Sequence, residues 1–495
     1  GHISDGFVKS DEIKFGFKYR ETDRNTISIY GGHGILGRAG GGWAYVYRKG
    51  DLPGQTDHAN VWIGDTVLHG PWAINFGIHY STQSGTQTAG SVPGNTLNDD
   101  PATGGIAPRT WPGFDPGVSW DDLMLRAGVT YTFGSSKRTL LRANIAQYAD
   151  TLSNADIGYN NPIGLSGIGY PWDDNSGLGT DGDERVQFAE LDTTVVYGTW
   201  NYNPDNPMDT PRGIDSGLEA PSVTEFTLGA EYELMRNFTI GANYTYRLRA
   251  DEIWNPLYDS SQFDSVNQAG NLVALGADIY APSTISYTNS EFGISGTEPL
   301  YYIPASSIDS DPFGSRDPNT TSGARGDFRT NDPRYEQQYH GLSVNFTKRL
   351  SNRWMMRGFV GYYDWTKKYS GGGLIQSNGI YNNPPCCGFN VAEGDPTNQE
   401  GDTAVDGSDI GLQAAGSGPT ENMWPGSGKW SLSVNGMYQM PKNWYVSGNL
   451  WARQGYGLPL TVINADIDDG GVTSTAVPDG DAQITQKAVQ IGSFT

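Results

Sequence analysis

The sequence predicts an all-β chain folded as a transmembrane antiparallel β-barrel. Three observations predict this fold. Apolar and polar residues alternate over long segments, the connections between these segments are alternately very short and very long, and no apolar run is long enough for a membrane helix. The 495 residues also exceed what one soluble core usually holds, about 250–300 residues, and we find no linker that divides them.

The clearest strand pair is FTLGAEYELMRNFTIGANYTYRLRADEIW, residues 226–254. Both arms alternate with period two around a short turn, and each is at least as long as the roughly 9–11 residues of a tilted spanning strand. Globular strands are usually about 5–6 residues long, so the length favours contact with lipid over burial against a second sheet. We therefore expect Leu228, Tyr232, Ile240 and Tyr244 to face lipid and Glu231, Asn243 and Arg247 to face the lumen.

The same alternation recurs along the chain. It predicts further strands around residues 13–19, 72–80, 123–133, 139–148, 342–346, 354–362, 430–438 and 444–452. Short turns are predicted at 134–137, 235–237, 351–352 and 441–443, and long structureless loops at roughly 81–120, 150–184, 201–222, 250–337 and 366–428. Such loops are uncommon in compact domains, whereas outer-membrane barrels combine tight periplasmic turns with long extracellular loops.

Net charge excludes one class of partner. The formal charge of −23 argues against nucleic-acid binding, which needs clustered Lys and Arg.

Aromatic residues stand where strands meet the predicted turns, including Phe133, Phe238, Trp354 and Trp444. That position suits the aromatic girdle of a membrane interface.

Several stretches resemble a known family. SGLEAPSVTEFTLGAEYELMRNFTIGANYTYRLRADEIWNPL, YHGLSVNFTKRLSNRWMMRGFVGYYDWTKKY, GKWSLSVNGMYQMPKNWYVSGNLWARQGYGLPLTV and WDDLMLRAGVTYTFGSSKRTLLRANIAQYAD are spread over roughly residues 119–460. They resemble TonB-dependent outer-membrane receptors, and within them the Oar-like branch, whose full members carry an N-terminal carboxypeptidase-regulatory-like domain.

The resemblance implies part of a barrel of about twenty-two strands with a plug in its lumen. It also implies a location in the bacterial outer membrane among lipid and lipopolysaccharide, an extracellular ligand, and energy coupling by TonB through an N-terminal region. We read only about thirteen or fourteen strands, and no TonB box, plug or terminal aromatic strand. We therefore expect residues 1–495 to form the central and later barrel of a longer receptor, without its plug, N-terminal domain and last strands.

Catalytic motifs are absent from the sequence. GGHGILG has the spacing of a dinucleotide-binding loop, but the following residues predict a strand rather than a helix, which indicates a glycine-rich barrel turn. The six histidines (2, 33, 58, 69, 79 and 340) show no metal-binding spacing, and no nucleophile elbow is present. We do not expect an enzyme.

Two acidic segments are candidate cation sites. WDDNSGLGTDGDERVQFAE places Asp173, Asp181 and Asp183 close in sequence, where carboxylates could bind Ca²⁺, although the EF-hand order is not met and a solvated acidic loop is the simpler interpretation. Residues 369–428 contain no Lys or Arg and seven acids. That segment is either a solvated loop or a surface that attracts cations or a cationic ligand.

The two cysteines, Cys386 and Cys387, are adjacent in NNPPCCGFN within a predicted external loop. Thiols oxidise outside the cytoplasm, so a vicinal disulfide is possible, as are two free thiols or a bond to a partner.

For function, the sequence supports three hypotheses. The first is a TonB-dependent transporter for an unidentified large or scarce ligand. The second is a surface scaffold, adhesion or assembly protein of the same build, and the third is an open porin.

Overall fold

We analysed a computed structural model of the chain. It describes residues 10–37, 42–173, 182, 185–194, 198–202, 212–259, 263–264, 269–270, 272, 281–290, 293–302, 325–369, 374–376, 403–406, 410–413, 429–454, 458–460 and 489–491. Within these residues, no helix has the length and apolar character needed to cross a membrane.

The strands, in chain order, are β1 Ser10–Ser28, β2 Ile35–Gly37, β3 Gly42–Arg48, β4 Gly50–His69, β5 Trp72–Gln87, β6 Gly90–Val92, β7 Arg109–Trp111, β8 Phe114–Phe133, β9 Thr139–Ala149, β10 Ser166–Trp172, β11 Gly198–Trp200, β12 Arg212–Ile214, β13 Ser222–Met235, β14 Phe238–Ala250, β15 Ile253–Trp254, β16 Leu257–Asp259, β17 Phe263–Asp264, β18 Ala269–Gly270, β19 Ala281–Asn289, β20 Ile294–Tyr302, β21 Arg325–Asn331, β22 Tyr335–Ser351, β23 Trp354–Tyr369, β24 Leu374–Gln376, β25 Thr403–Asp406, β26 Ile410–Gln413, β27 Trp430–Gln439, β28 Tyr445–Arg453, β29 Leu458–Leu460 and β30 Val489–Ile491. One short helix, α1, covers Asn154–Ile157, and single 3-10 turns cover Gly32–Gly34, Pro101–Thr103, Phe188–Glu190 and Pro441–Asn443.

Most of the long strands form one antiparallel sheet, which we call the wall. Its order is β1-β4-β5-β8-β9-β13-β14-β22-β23-β27-β28, and β26 pairs with β23 to make it twelve-stranded. The hairpins β4–β5, β8–β9, β13–β14, β22–β23 and β27–β28 close at one end through short turns, and every long connection leaves the other end. The predicted strands and turns are confirmed, and the wall has one further strand, β4, and one further short turn at Gly70–Pro71 that were not predicted.

The outward face of the wall is apolar. Register pairs Phe15 with Ile63 and Leu228 with Tyr244 on this face, and large apolar side chains along it remain solvent-exposed. Trp72 and Tyr80 end the exposed apolar row of β5, which gives a band of about 21 Å at the usual rise and tilt of spanning strands. An exposed face of this kind needs lipid around it. The wall is therefore that of an outer-membrane β-barrel, and the predicted fold class is confirmed.

The inward face is polar. The cross-strand partners Glu225 and Arg247 lie on it, as do Asn243 and Glu231, so the predicted separation of the two faces of β13 and β14 is confirmed. Among the described residues, no ladder of hydrogen bonds joins β1 to β28.

The long connections differ from the prediction, because several of them are folded rather than structureless. Residues 32–48, 88–113 and 150–220, where described, build a layer at the long-loop end of the wall, which we call the cap. Its main sheet has the order β11-β10-β3-β2, and its core contains Ala44, Val46, Ile106, Ile168, Tyr170, Trp172, Leu191 and Tyr202. GGHGILG begins this sheet. The predicted strand after it is present as β3, but the glycine-rich turn belongs to the cap and not to the wall.

Candidate functional site: the inward face of the wall and the cap over it

The inward face of β9, β13 and β14 carries paired charges. Arg142 forms an ion pair with Glu231, and Arg247 forms one with Glu225. The guanidinium of Arg247 also lies 5.7 Å from the ring centroid of Tyr339. Cross-strand neighbours of opposite charge stabilise a sheet, and their hydration requires an interior that is not filled with apolar side chains.

A second group of inward side chains, on β1, β4, β5 and β8, is basic. Arg20 and the Nδ1 atom of His58 are 3.4 Å apart, and Nε2 of His58 is 2.9 Å from the hydroxyl of Ser81. His79 contacts Asn60 at 2.8 Å, and Arg126 stacks on Tyr148 at 5.0 Å. Within the described part of the chain, Lys18, Arg20 and Arg126 contact no carboxylate, so this sector carries surplus positive charge in a strongly acidic protein.

The inward face of β22, β23, β27 and β28 has another character. Its side chains are mostly neutral, with Asn and Ser on neighbouring strands and aromatic rings among them: Asn345, Ser343, Phe359, Ser433, Asn435, Asn449 and Trp451. The rings of Tyr339 and Tyr363 lie over Gly341 and Gly361 of their own strands. Arg357 of the same inward row donates to the Asn435 amide oxygen at 3.3 Å, so this surface offers rings, amides and a guanidinium to a polar ligand.

The cap enters the barrel mouth at α1. Ile157 is fully buried and packs with Val118, Trp120 and Leu152 against the inward face of the wall. A Cβ atom at Gly85 would lie 1.9 Å from the Ile157 side chain, so only glycine permits this approach. Residues 150–163 are thereby held against β4, β5 and β8 rather than over open lumen.

Two wall glutamines bind the backbone of the same segment. The Gln83 amide donates to the carbonyl of Asp150 at 3.0 Å, and its oxygen accepts from the Leu152 N–H at 2.9 Å. The Gln87 amide donates to Ile157 O and to Asn160 Oδ1, both at 2.6 Å, while Trp111 Nε1 donates to Gln87. Because these side chains are almost fully buried, each hydrogen bond replaces contact with water.

Arg48 joins three parts of the cap. It is 1% exposed, and its guanidinium donates to the carbonyls of Ala107 at 3.0 Å and Pro162 at 2.8 Å and to the Ser166 hydroxyl at 2.9 Å. Burial, and then the charge of Arg109, lowers the pKa of Arg48 to about 9. The nearby Tyr202 is also fully buried, and burial raises its pKa.

A salt bridge fastens α1 to a later segment. Arg329 of β21 donates to Asp156 at 2.9 Å, and both Arg329 and Arg212 stack on Tyr159 at 5.1 and 5.2 Å. Asp156 also completes a capping box with Ser153. The connections before β13 and before β22 therefore also hold residues 150–163 in place.

The sequence-predicted metal ligands are only partly described. Asp173 directly follows β10, whereas Asp181 and Asp183 lie outside the described residues. Glu190, from the same acidic segment, is buried and accepts hydrogen bonds from Trp172 Nε1 at 3.2 Å and from Gln187 N at 2.9 Å. No group of three or more potential metal ligands occurs among the described residues.

Cys386 and Cys387 lie outside the described residues, as does most of 369–428.

The wall glutamines and Arg48 were missed by sequence reasoning. Their partners are far away in the chain, 70 residues from Gln87 to Ile157 and 114 from Arg48 to Pro162. The one local signal was SNAD, a Ser and an Asp at capping-box spacing that marks the start of α1.

Comparison with known proteins gave structural similarities only. No protein-family model and no curated protein matches the chain. The chain is similar to the siderophore receptor PiuA from Acinetobacter baumannii, with 9% identity, a TM-score of 0.37, and coverage of 92% of this chain and 45% of that one. The chain is similar to the outer membrane transporter YddB from Escherichia coli, with 10% identity, a TM-score of 0.32, and coverage of 92% of this chain and 44% of that one. It is also similar to the FrpB iron transporter from Neisseria meningitidis, with 9% identity, a TM-score of 0.30, and coverage of 89% of this chain and 51% of that one. The chain spans about half the length of each.

Proposed function

We propose that the chain is the barrel wall of a TonB-dependent outer-membrane transporter that takes up a large or scarce ligand, and that it belongs to the Oar-like branch. The observation that carries the proposal is the inward face, with paired charges on β9, β13 and β14 and surplus cations on β1, β4, β5 and β8. A lumen of about twenty-two strands is too wide for side chains to fill. A plug domain would occupy it, and the surplus cations would face acidic groups of that plug or of the ligand.

In this proposal the cap and the other long connections form the extracellular, ligand-catching side, which lies next to lipopolysaccharide, and the short turns face the periplasm. TonB would act through the N-terminal region of the full-length protein. The amides and aromatic rings on the inward face of β22, β23, β27 and β28 suit a polar ligand such as a peptide or glycan fragment. Asp173, Asp181 and Asp183 remain a candidate Ca²⁺ site, and Cys386 and Cys387 a candidate disulfide.

Uptake experiments test the proposal. Cells that lack the full-length gene, and separately cells that lack TonB, should lose growth on the same nutrient or uptake of the same labelled ligand. Complementation with the full-length gene restores both only where TonB is present.

The folded cap favours a second candidate, a surface scaffold or adhesion protein, because a buried and hydrogen-bonded layer offers a fixed surface to a partner. If neither deletion affects uptake and loss of the gene instead disrupts adhesion or complex assembly, the scaffold replaces the transporter. Leakage of small solutes through the full-length protein without TonB would instead indicate an open porin.

A further inference from the structure

The short turns of the wall differ in charge from the rest of the chain. The protein has 55 acidic and 32 basic residues, yet the segments 70–71, 134–138, 236–237, 352–353 and 440–444 contain no Asp or Glu. They contain Lys137, Arg138, Arg236, Arg353 and Lys442, all of which are solvent-exposed. The short turns of the wall therefore form a basic rim on an acidic protein, with Asp11 and Glu12 of β1 as acids at the same end of the wall.

Two of these turns adjoin each other. The turn between β8 and β9 carries Lys137 and Arg138, and the turn between β13 and β14 carries Arg236. The N–H of Glu233 donates to the carbonyl of Arg138 at 2.8 Å, which joins the two hairpins beside their turns. The side chain of Glu233 belongs to the inward row of β13, and none of the three cations forms an ion pair with a described acid.

Directly above these two turns, the outward face has a concavity of about 710 Å³. Ala143 of β9, Ala230 of β13 and Ala242 of β14 form its floor, because neighbouring strands all place a small residue there. Tyr131 and Phe133 stand at its rim-side edge, and Leu342 bounds it on the far side. We call this depression the alanine trough.

The trough lies at the depth of acyl chains. Ala230 is about 13 Å above the turn at the usual rise and tilt of spanning strands, and half of the hydrocarbon core is about 15 Å thick. Phosphate head groups at the same membrane surface would lie level with the rim, where exposed Lys and Arg attract anionic lipid.

We propose that the adjoining turns and the alanine trough together bind one anionic glycerophospholipid of the leaflet that faces the short turns. Lys137, Arg138 and Arg236 contact its phosphate head group, and one acyl chain fills the trough over Ala230. This inference rests on the membrane placement of the wall but not on transport. If the protein proves not to be a transporter, the lipid site still stands. If the wall does not lie in a membrane, the protein will be absent from the membrane fraction before any lipid is tested.

Native mass spectrometry of the full-length protein in mild detergent tests the site, with phosphatidylglycerol and phosphatidylcholine as probes. The wild type should bind one phosphatidylglycerol saturably and more tightly than phosphatidylcholine. The variant K137Q/R138Q/R236Q should bind phosphatidylglycerol on the order of a hundredfold more weakly. Ala230→Leu fills the trough and should also weaken phosphatidylglycerol binding. Two matched controls should leave the binding unchanged: R353Q/K442Q, in the turns between β22 and β23 and between β27 and β28, and Ala452→Leu, outside the trough.

A salt titration of the wild type needs no variant and gives a second readout. Phosphatidylglycerol retention should fall as salt rises, because exposed charges are screened. Equal affinity for the two lipids overturns the proposal. So does a wild-type affinity in the triple-Gln variant, provided that its gel mobility still shifts on heating as expected for a folded barrel. A third contrary result would come from adding an acidic periplasmic protein that occupies the basic rim. If phosphatidylglycerol binding stays unchanged when the rim is occupied, the lipid does not bind there and the proposal is overturned.

Discussion

The wall and the cap satisfy their backbones in different ways. In the wall, neighbouring strands share a ladder of backbone hydrogen bonds whose register shifts only near some strand ends, and side chains only have to suit the medium on their face. The cap backbone is instead bound by buried side chains, Gln83 and Gln87 from the wall and Arg48 from the cap itself. The wall therefore depends on a repeating pattern and tolerates exchange within it, whereas the cap depends on individual residues.

The largest expected effect tests the pattern of the wall. Leu228→Arg puts a charge on the outward face deep in the membrane, and we expect a loss of about 2–4 kcal/mol in the free energy of unfolding. Thr245→Arg, on the inward face of the adjacent strand, should cost much less because its side chain can remain hydrated. Urea unfolding of both variants in lipid vesicles measures the difference, and equal destabilisation would contradict the assignment of the faces.

The next effect tests dependence on a single residue in the cap. Arg48→Met removes the donor to the Ala107 carbonyl and leaves the Pro162 carbonyl only the longer bond from Arg109, at 3.3 Å. We therefore expect the free energy of local opening of the cap to fall by about 2–3 kcal/mol. Hydrogen exchange of peptides covering residues 150–172 measures it. Arg20→Met, an exposed position on the wall, is the control. Unchanged exchange in the Arg48 variant would show that the cap does not depend on this side chain.

A substitution at the junction of wall and cap should act on the cap alone. Gly85→Val places methyl groups where Ile157 now packs, and we expect a loss of about 1–3 kcal/mol in cap stability. Proteolytic nicking of residues 150–163 should rise while the barrel retains its heat-modifiable mobility on gels. Gly31→Val, whose new side chain meets open space, is the control. If both variants are nicked equally, the close approach of Ile157 is not what holds the cap.

The smallest effects concern segments outside this comparison. We expect mass spectrometry without reductant to show the peptide containing Cys386 and Cys387 lighter by two hydrogen atoms than its reduced form, as a vicinal disulfide requires. Alkylation of both thiols in freshly isolated outer membrane would end that hypothesis.

The contrast also explains which features the sequence could predict. Alternation such as Phe226, Leu228 and Tyr232 is local, so most strands of the wall, its turns and the faces of β13 and β14 were predictable without contacts. The wall strand β4 was not predicted, because residues 50–69 show no clear alternation. The cap was expected to be structureless because its contacts are not local. In the sequence, nothing distinguishes Gln87 from other polar residues, because its partners Ile157 and Asn160 come close to it only in the folded chain. The basic rim was visible in the sequence, but its position below the alanine trough required the register of β9, β13 and β14.

Accessibility labelling in intact cells tests the central claim most directly, that this is an outer-membrane wall with the cap outside and the short turns inside. In a C386S/C387S background, Leu97→Cys places a thiol on the exposed surface of the cap, and Ser136→Cys places one in the turn between β8 and β9. A membrane-impermeant maleimide should label Leu97→Cys in intact cells and Ser136→Cys only after the outer membrane is permeabilised. Labelling of Ser136→Cys in intact cells, with Leu97→Cys protected, would contradict the account.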